Sequence, residues 1–370
     1  MDTLERGFRG GRGAGPGRPD QVRRWRLWGD LAFGVVLGAG SSAAPWWRGN
    51  ARDSAPSLPR RATVSLGVRG IMGDAPPARL ESQRSNHRRV KHNGVMAEAG
   101  WRELRVEVHG RPVFVRMGPE IPGSVPLVHV HGFAVSGSYL LPTARALAHR
   151  ATTVVPDLPG YGHSAAWGHA LGIPSLSWVL REVLDALGLE RVVLVGNSMG
   201  GPVCLEVAHS APERVVGIVL TSPAGGMHNQ PLARALVQLA RDVGRESPRM
   251  APVVLRDYLR FGPLNALQLF GELVRFPSLE RILRTPVRTL AVIGSRDPLM
   301  PPPRRVREIG RLASPHLSIA VIDGAAHAMN FSHPGELAHV IGCWLDHREI
   351  TDDPDEPGIA GVLEVRRGDG

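Results

Sequence analysis

The run Arg191-Val192-Val193-Leu194-Val195, followed at once by Gly196-Asn197-Ser198-Met199-Gly200, constrains this chain more than any other segment. The apolar run reads as a strand buried on both faces. The five residues after it read as a G-x-S-x-G nucleophile elbow, a tight turn from strand into helix with a serine at its tip. Glycines suit such a turn because side chains there would collide with the neighbouring strand and helix. The turn lifts the serine oxygen toward the first helical turn, where free N–H groups and the helix dipole favour developing negative charge. A helix from Gly201 to Ser210 and a further strand from Val215 to Leu220 follow, as the elbow requires.

A serine hydroxyl is a weak nucleophile, so it needs a base beside it and a carboxylate to orient that base. Behind an elbow of this kind the acid and then the histidine arrive after later strands. Arg288 to Ile293 forms a short apolar strand leading into Gly294-Ser295-Arg296-Asp297-Pro298. Asp297 therefore falls at the carboxyl end of a strand, where sites collect in parallel sheets. The next strand, Leu317 to Ile322, runs into Asp323-Gly324-Ala325-Ala326-His327. Of the 15 histidines, His327 alone has both the order and the small-residue loop that a base needs. His333 precedes Pro334 and suits a capping turn, while His129 and His131 come before the elbow. Asp323 is a rival acid, better placed to cap its strand.

The anion needs a second donor. Pro126 to Val130 is a buried strand entering His131-Gly132-Phe133, and the glycine lets the Phe133 N–H face the same point as the Met199 N–H. The His131 side chain reads as a core histidine that holds loops together.

Together the strings VHVHGFAVSGSYLLPTARALA, VVPDLPGYGHS, VLVGNSMGG, VIGSRDPLMP and DGAAHAMNFSHP resemble the α/β-hydrolase superfamily, in its cap-bearing esterase, perhydrolase and carbon–carbon hydrolase branches. The resemblance spans roughly residues 101 to 347. It implies a doubly wound, mostly parallel eight-stranded sheet (the α/β-hydrolase fold) with an inserted helical cap. Carried over by position, it makes Ser198 the nucleophile, Asp297 the acid and His327 the base, with oxyanion amides at Phe133 and Met199. The Asp157-Leu158-Pro159-Gly160-Tyr161-Gly162 loop reads as structural. Haloalkane dehalogenases and epoxide hydrolases usually carry Asp where this chain has Ser198, which argues against both.

The remaining pattern agrees with that fold. Glu103 to Val108 and Val113 to Met117 form a hairpin turned by His109-Gly110. Strands near residues 126, 153, 192, 216, 289 and 317 alternate with helices, the clearest being Ser175 to Leu187. More than sixty residues separate the strands ending near Leu220 and starting near Arg288, far more than a crossover needs. They read as amphipathic helices over Pro231 to Val243, Arg249 to Phe261 and Leu264 to Phe276, a cap inserted at about 224–285. Leu239, Leu255, Phe261, Leu267 and Phe270 are candidates either to line an acyl pocket or to pack the cap on the core.

Charge divides the chain. Residues 1–95 hold 17 of the 44 basic and 7 of the 34 acidic residues, leaving 27 of each in residues 96–370. A neutral folded part suits an uncharged substrate and gives no reason to expect nucleic acid there. The basic, Gly- and Pro-rich first 95 residues read as a disordered extension, 96–350 as the hydrolase domain and 351–370 as a flexible tail. The apolar stretch Leu31 to Ala44 is too short and Gly-rich to span a bilayer. Arg23-Arg24 ahead of it leaves a twin-arginine-like export leader as an alternative to the expected cytoplasmic location. A start of synthesis near Met96 and a nucleic-acid-binding tail are further readings of that segment. Cys204 and Cys343 read as small core residues without disulfide or metal spacing. No phosphate loop, dinucleotide fingerprint or metal cluster occurs, so chemistry without cofactor or metal is expected. The expected activity is a carboxylesterase acting on small or medium apolar esters. Its rivals are a carbon–carbon hydrolase of ring-cleavage products, a perhydrolase or lyase on the same triad, and a non-catalytic ligand receptor.

Overall fold

The computed structural model describes residues 90–97, 100–168, 170–261, 263–302, 305–306, 316–353, 355 and 361–366. The expectations for residues 1–89, among them the apolar stretch and Arg23-Arg24, lie outside the described residues.

A central sheet of ten strands carries the molecule. In chain order these are β1 (Val90–Ala97), β2 (Trp101–Val108), β3 (Arg111–Met117), β4 (Leu127–Val130), β5 (Thr153–Pro156), β6 (Val192–Asn197), β7 (Val215–Thr221), β8 (Thr289–Gly294), β9 (Leu317–Ile322) and β10 (Val362–Arg366). Their spatial order is β1-β2-β3-β5-β4-β6-β7-β8-β9-β10. Strands β4 to β9 pair in parallel, while β1, β2, β3 and β10 join antiparallel. The eight expected strands are β2 to β9. The two outer ones correct the sequence reading: β1 starts before residue 96, and β10 lies where a flexible tail was expected. Both are edge strands whose pairing depends on a tertiary partner, Val90 opposite Val106 and Val362 opposite Ile322.

Burial follows the strand patterns. Every residue of β4, β5 and β6 is buried, as the unbroken apolar runs require, whereas β2 alternates buried and half-buried positions from Glu103 to Val108. One face packs Leu176, Leu180 and Leu184 of helix α2 (Ile173–Ala186) and Val203 and Val207 of α3 (Gly200–Ser210) on Val128, Leu194 and Ile218. The opposite face receives Leu337, Val340 and Ile341 of α9 (Pro334–Leu345) on Leu127, Val193, Val219 and Leu290. The short α1 (Leu141–Leu147) and α8 (Met329–Ser332) lie on this second side.

Between β7 and β8 stand α4 (Leu232–Val243), α5 (Ala251–Phe261), α6 (Pro263–Arg275) and α7 (Ser278–Arg284). The first three match the expected amphipathic segments. The fourth is seven residues long, too short to show a helical period.

From β4 the chain passes to β5 on one side and, through α2, to β6 on the other. This reversal is a topological switch point, and a crevice opens beyond the carboxyl ends of strands that flank one. The loops after β4 and β6 share it.

Candidate active site

Ser198 sits between β6 and α3 at φ +52°, a left-handed conformation that costs a non-glycine residue energy. The turn closes because both flanking glycines lack a side chain. A β-carbon on Gly196 would strike the Gly200 carbonyl, and one on Gly200 would strike the Val130 carbonyl of the neighbouring strand. Main-chain bonds lock the tip: Ser198 N–H donates to Thr221 O at 3.0 Å, and Ser198 O accepts from Ala224 N–H at 3.0 Å.

The loop after β4 lies against this turn. A β-carbon on Gly132 would come 3.2 Å from Ser198 Cβ. Tyr139 fastens the two loops, accepting from Gly132 N–H at 2.8 Å and donating to Asn197 Oδ1 at 2.6 Å. The Asn197 amide in turn donates to Thr221 O at 3.0 Å and to His327 O at 3.2 Å. His131 is buried, and its Nε2 accepts from Leu158 N–H at 3.0 Å.

Asp297 and His327, thirty residues apart in sequence, meet through a 2.8 Å bond between Oδ2 and Nδ1. The other carboxyl oxygen accepts from Leu299 N–H at 2.8 Å. Burial opposes ionisation of Asp297, but the charge and ring N–H of His327 prevail and hold the carboxyl below its ordinary range. For His327 burial favours the neutral ring, yet Asp297 first, then Asp242 and Glu246, push its pKa up to about 9. Asp323 stands apart, accepting from the Ser295 hydroxyl at 2.8 Å, and His333 occupies the N-cap position of α9.

Ser198 and His327 both line a cavity of about 430 Å³, within the range of small-molecule sites. Phe133 and Gly132 contribute to one wall; Leu239, Val243, Met250, Val254, Phe270, Leu273 and Val274 from the inserted helices form the other. Of the residues proposed for an acyl pocket, Leu239 and Phe270 line it. Phe261 instead stacks on Tyr161 with ring centroids 4.7 Å apart, and Leu255 is exposed. The Leu267 side chain lies outside the described residues. Met199 is fully buried at the N-cap of α3, and Phe133 packs edge-on to Phe261.

A family model described as the alpha/beta hydrolase fold matches residues 125–247. The pimeloyl-[acyl-carrier protein] methyl ester esterase of Pectobacterium carotovorum is 30% identical over 242 residues, which cover 57% of this chain and 91% of that protein. The chain belongs to the α/β-hydrolase family. This hydrolase is also 34% identical over 158 residues to the dihydrolipoyllysine-residue acetyltransferase component of the acetoin cleaving system of Pseudomonas putida. That match spans only 42% of either chain. Among solved structures it is similar to a thermophilic esterase from Thermogutta terrifontis at a TM-score of 0.54, 19% identity, 66% of this chain and 98% of the other.

Sequence reasoning did not single out four residues of the hydrolase's site: Tyr139, Asn197, Asp242 and Glu246. Asp242, in the last turn of α4, is buried, and burial pushes its carboxyl up to about 8. Glu246 accepts from Ala328 N–H at 2.7 Å, beside His327. Burial raises its pKa as well. Asn229 ties the insertion to the loop carrying Asp297, donating to Leu299 O at 2.9 Å and Gln238 Oε1 at 3.1 Å.

Proposed function

We propose that this hydrolase cleaves carboxylic esters with small or medium apolar acyl groups through an acyl-enzyme on Ser198. His327 Nε2 takes the Ser198 proton as Oγ attacks the ester carbonyl, and Asp297 holds the ring in the tautomer that leaves Nε2 free. The N–H groups of Phe133 and Met199 receive the developing oxyanion. The imidazolium then protonates the departing alkoxide. Water, deprotonated by the same ring, clears the acyl group as carboxylic acid and restores the serine.

The observation carrying this reading is the Asp297–His327 bond at the wall of the cavity that Ser198 also lines. The apolar wall contributed by α4 to α6 and the absence of Lys or Arg among its described lining residues favour an apolar acyl chain. The esterase relative supports the reaction class.

Because the base works only as neutral imidazole, kcat/KM should rise with pH through the His327 value of about 9. The decisive test is a fluorophosphonate probe applied to the full chain beside Ser198→Ala, with circular dichroism to verify the fold. Labelling confined to the unsubstituted protein, with ester turnover lost by roughly 10⁶-fold in the variant, is expected. Equal labelling of both proteins would move the nucleophile elsewhere, and a folded, unlabelled parent protein without esterase activity would overturn the proposal.

A further inference from the structure

Asp242, in the last turn of α4, and Glu246, three residues past the end of that helix, both line the cavity together with Ser198 and His327. Asp242 is only 5% exposed. One Glu246 oxygen accepts from Ala328 N–H, but Asp242 Oδ1 and Glu246 Oε2 are buried with no hydrogen-bond partner. Two ionised carboxylates so placed, each with one oxygen lacking a donor, would carry much of the desolvation cost of both charges and their mutual repulsion. Retaining a single proton between them relieves most of it.

We propose that Asp242 and Glu246 share one proton and, as a singly charged pair in the cavity wall, restrict the site to esters whose acyl group is uncharged. This rests on the assignment of Ser198 and His327 above.

Of the surrounding charges only His327 compensates, its ring charge favouring ionisation of both carboxyls. Asp297 and His327 neutralise each other through their 2.8 Å bond. On the 3₁₀ turn after β7, His228 Nε2 lies 3.0 Å from Gln238 Nε2, and burial disfavours its charged form. The Arg245 guanidinium is turned to the Arg296 carbonyl at 2.6 Å. Tyr139, with its hydroxyl held by Gly132 and Asn197, keeps its proton because burial raises its pKa. An acyl chain ending in a carboxylate would therefore meet a like charge, while His327, the one cationic group among the described lining residues, is already paired with Asp297. In a medium of intermediate dielectric that repulsion disfavours the anion by roughly tenfold to a hundredfold.

The test compares 4-nitrophenyl hexanoate with the mono-4-nitrophenyl ester of adipic acid, equal in chain length and differing by a terminal carboxylate. The full-length enzyme should prefer the neutral ester, more so at about pH 8 than at about pH 5.5, where the pair is more fully protonated. In Asp242→Asn/Glu246→Gln the preference should shrink about tenfold and lose its pH dependence. An unchanged preference in that variant at every pH would overturn the proposal, leaving the apolar wall as the whole cause. Glu246→Gln alone keeps an acceptor for Ala328 N–H and serves if the double variant folds poorly. A readout without turnover separates this proposal from the one beneath it. On the Ser198→Ala background, hexanamide should raise the melting temperature more than the monoamide of adipic acid, and the acid-pair substitutions should narrow that gap. If neither ester is cleaved by the unsubstituted enzyme, the esterase reading fails while the binding contrast still decides the pocket's charge.

Discussion

Asp157, in a loop of the sheet, and Asp242, in the inserted helices, are both buried aspartates, and they are treated in opposite ways. Asp157 accepts from Arg116 Nη1 at 2.8 Å and Nη2 at 3.2 Å, from Gly137 N–H at 2.8 Å and from His163 N–H at 2.9 Å. Burial opposes its charge, but His163 and Arg116 prevail and hold the carboxyl well below the ordinary range. Asp242 has a buried oxygen with no donor, and its pKa moves up to about 8. Asp157 thus has both oxygens satisfied by fixed partners, whereas Asp242 leaves polar valence open toward the cavity, where a bound molecule or a retained proton has to complete it.

The largest effect expected from the sheet side comes from Asp297→Asn. Leu299 N–H keeps its acceptor, so the fold should survive, but the amide can stabilise neither the imidazolium nor the tautomer that frees Nε2. On the proposed mechanism kcat should fall by about 10⁴-fold, read by steady-state hydrolysis of an apolar ester. Near-normal turnover would mean that the acid lies elsewhere, and Asp242 would become the first place to look.

Arg116→Met strikes the other half of the contrast. It strands the Asp157 carboxylate in the interior with main-chain donors alone, and losing one partner of a buried pair costs about 3–5 kcal/mol. Urea unfolding should show that loss at neutral pH, with part of it recovered in acid as Asp157 is protonated. A cost under about 1 kcal/mol would show that the Gly137 and His163 amides suffice, and that the two aspartates differ less than their surroundings suggest.

What could be read from sequence follows the same division. The parallel strands announce themselves because burial on both faces forces unbroken runs such as Val192 to Val195. Ser198, Asp297 and His327 stand out as candidates because each follows such a run in a fixed order, and the structure places Asp297 against His327. Residues whose importance comes from a distant partner stay hidden. Asn197 fills a variable place in the elbow motif, yet its amide reaches His327 O. Asp242 sits in the last turn of an amphipathic helix and Glu246 just beyond its end, a polar stretch that reads as solvated until the loop after β9 is laid against it. β10 has no signal of its own, since its ladder exists only against Ile319, Ala320 and Ile322. Exposed Val237, Leu255 and Leu279 show the converse limit, because apolar residues at helical spacing are not all buried.

The smallest effect is the most discriminating, because its sign differs between the two regions. In Asp242 the folded-state pKa of about 8 lies above that of an unfolded aspartate. The protonated carboxyl therefore supports the fold fully below the unfolded value, and that support drains away as pH rises through the folded one. Asp242→Asn removes the titration while keeping a similar shape. The variant should match the parent near pH 4 and overtake it by a few kcal/mol at most by about pH 9. Thermal melting across that range measures it. Asp157→Asn should do the reverse, falling behind the parent as pH rises through the carboxylate range and keeping that full deficit above it. Should Asp242→Asn instead lose stability at alkaline pH, Asp242 carries its charge with an adequate partner. Insertion and sheet would then be built alike, and the proton-sharing pair would have no basis.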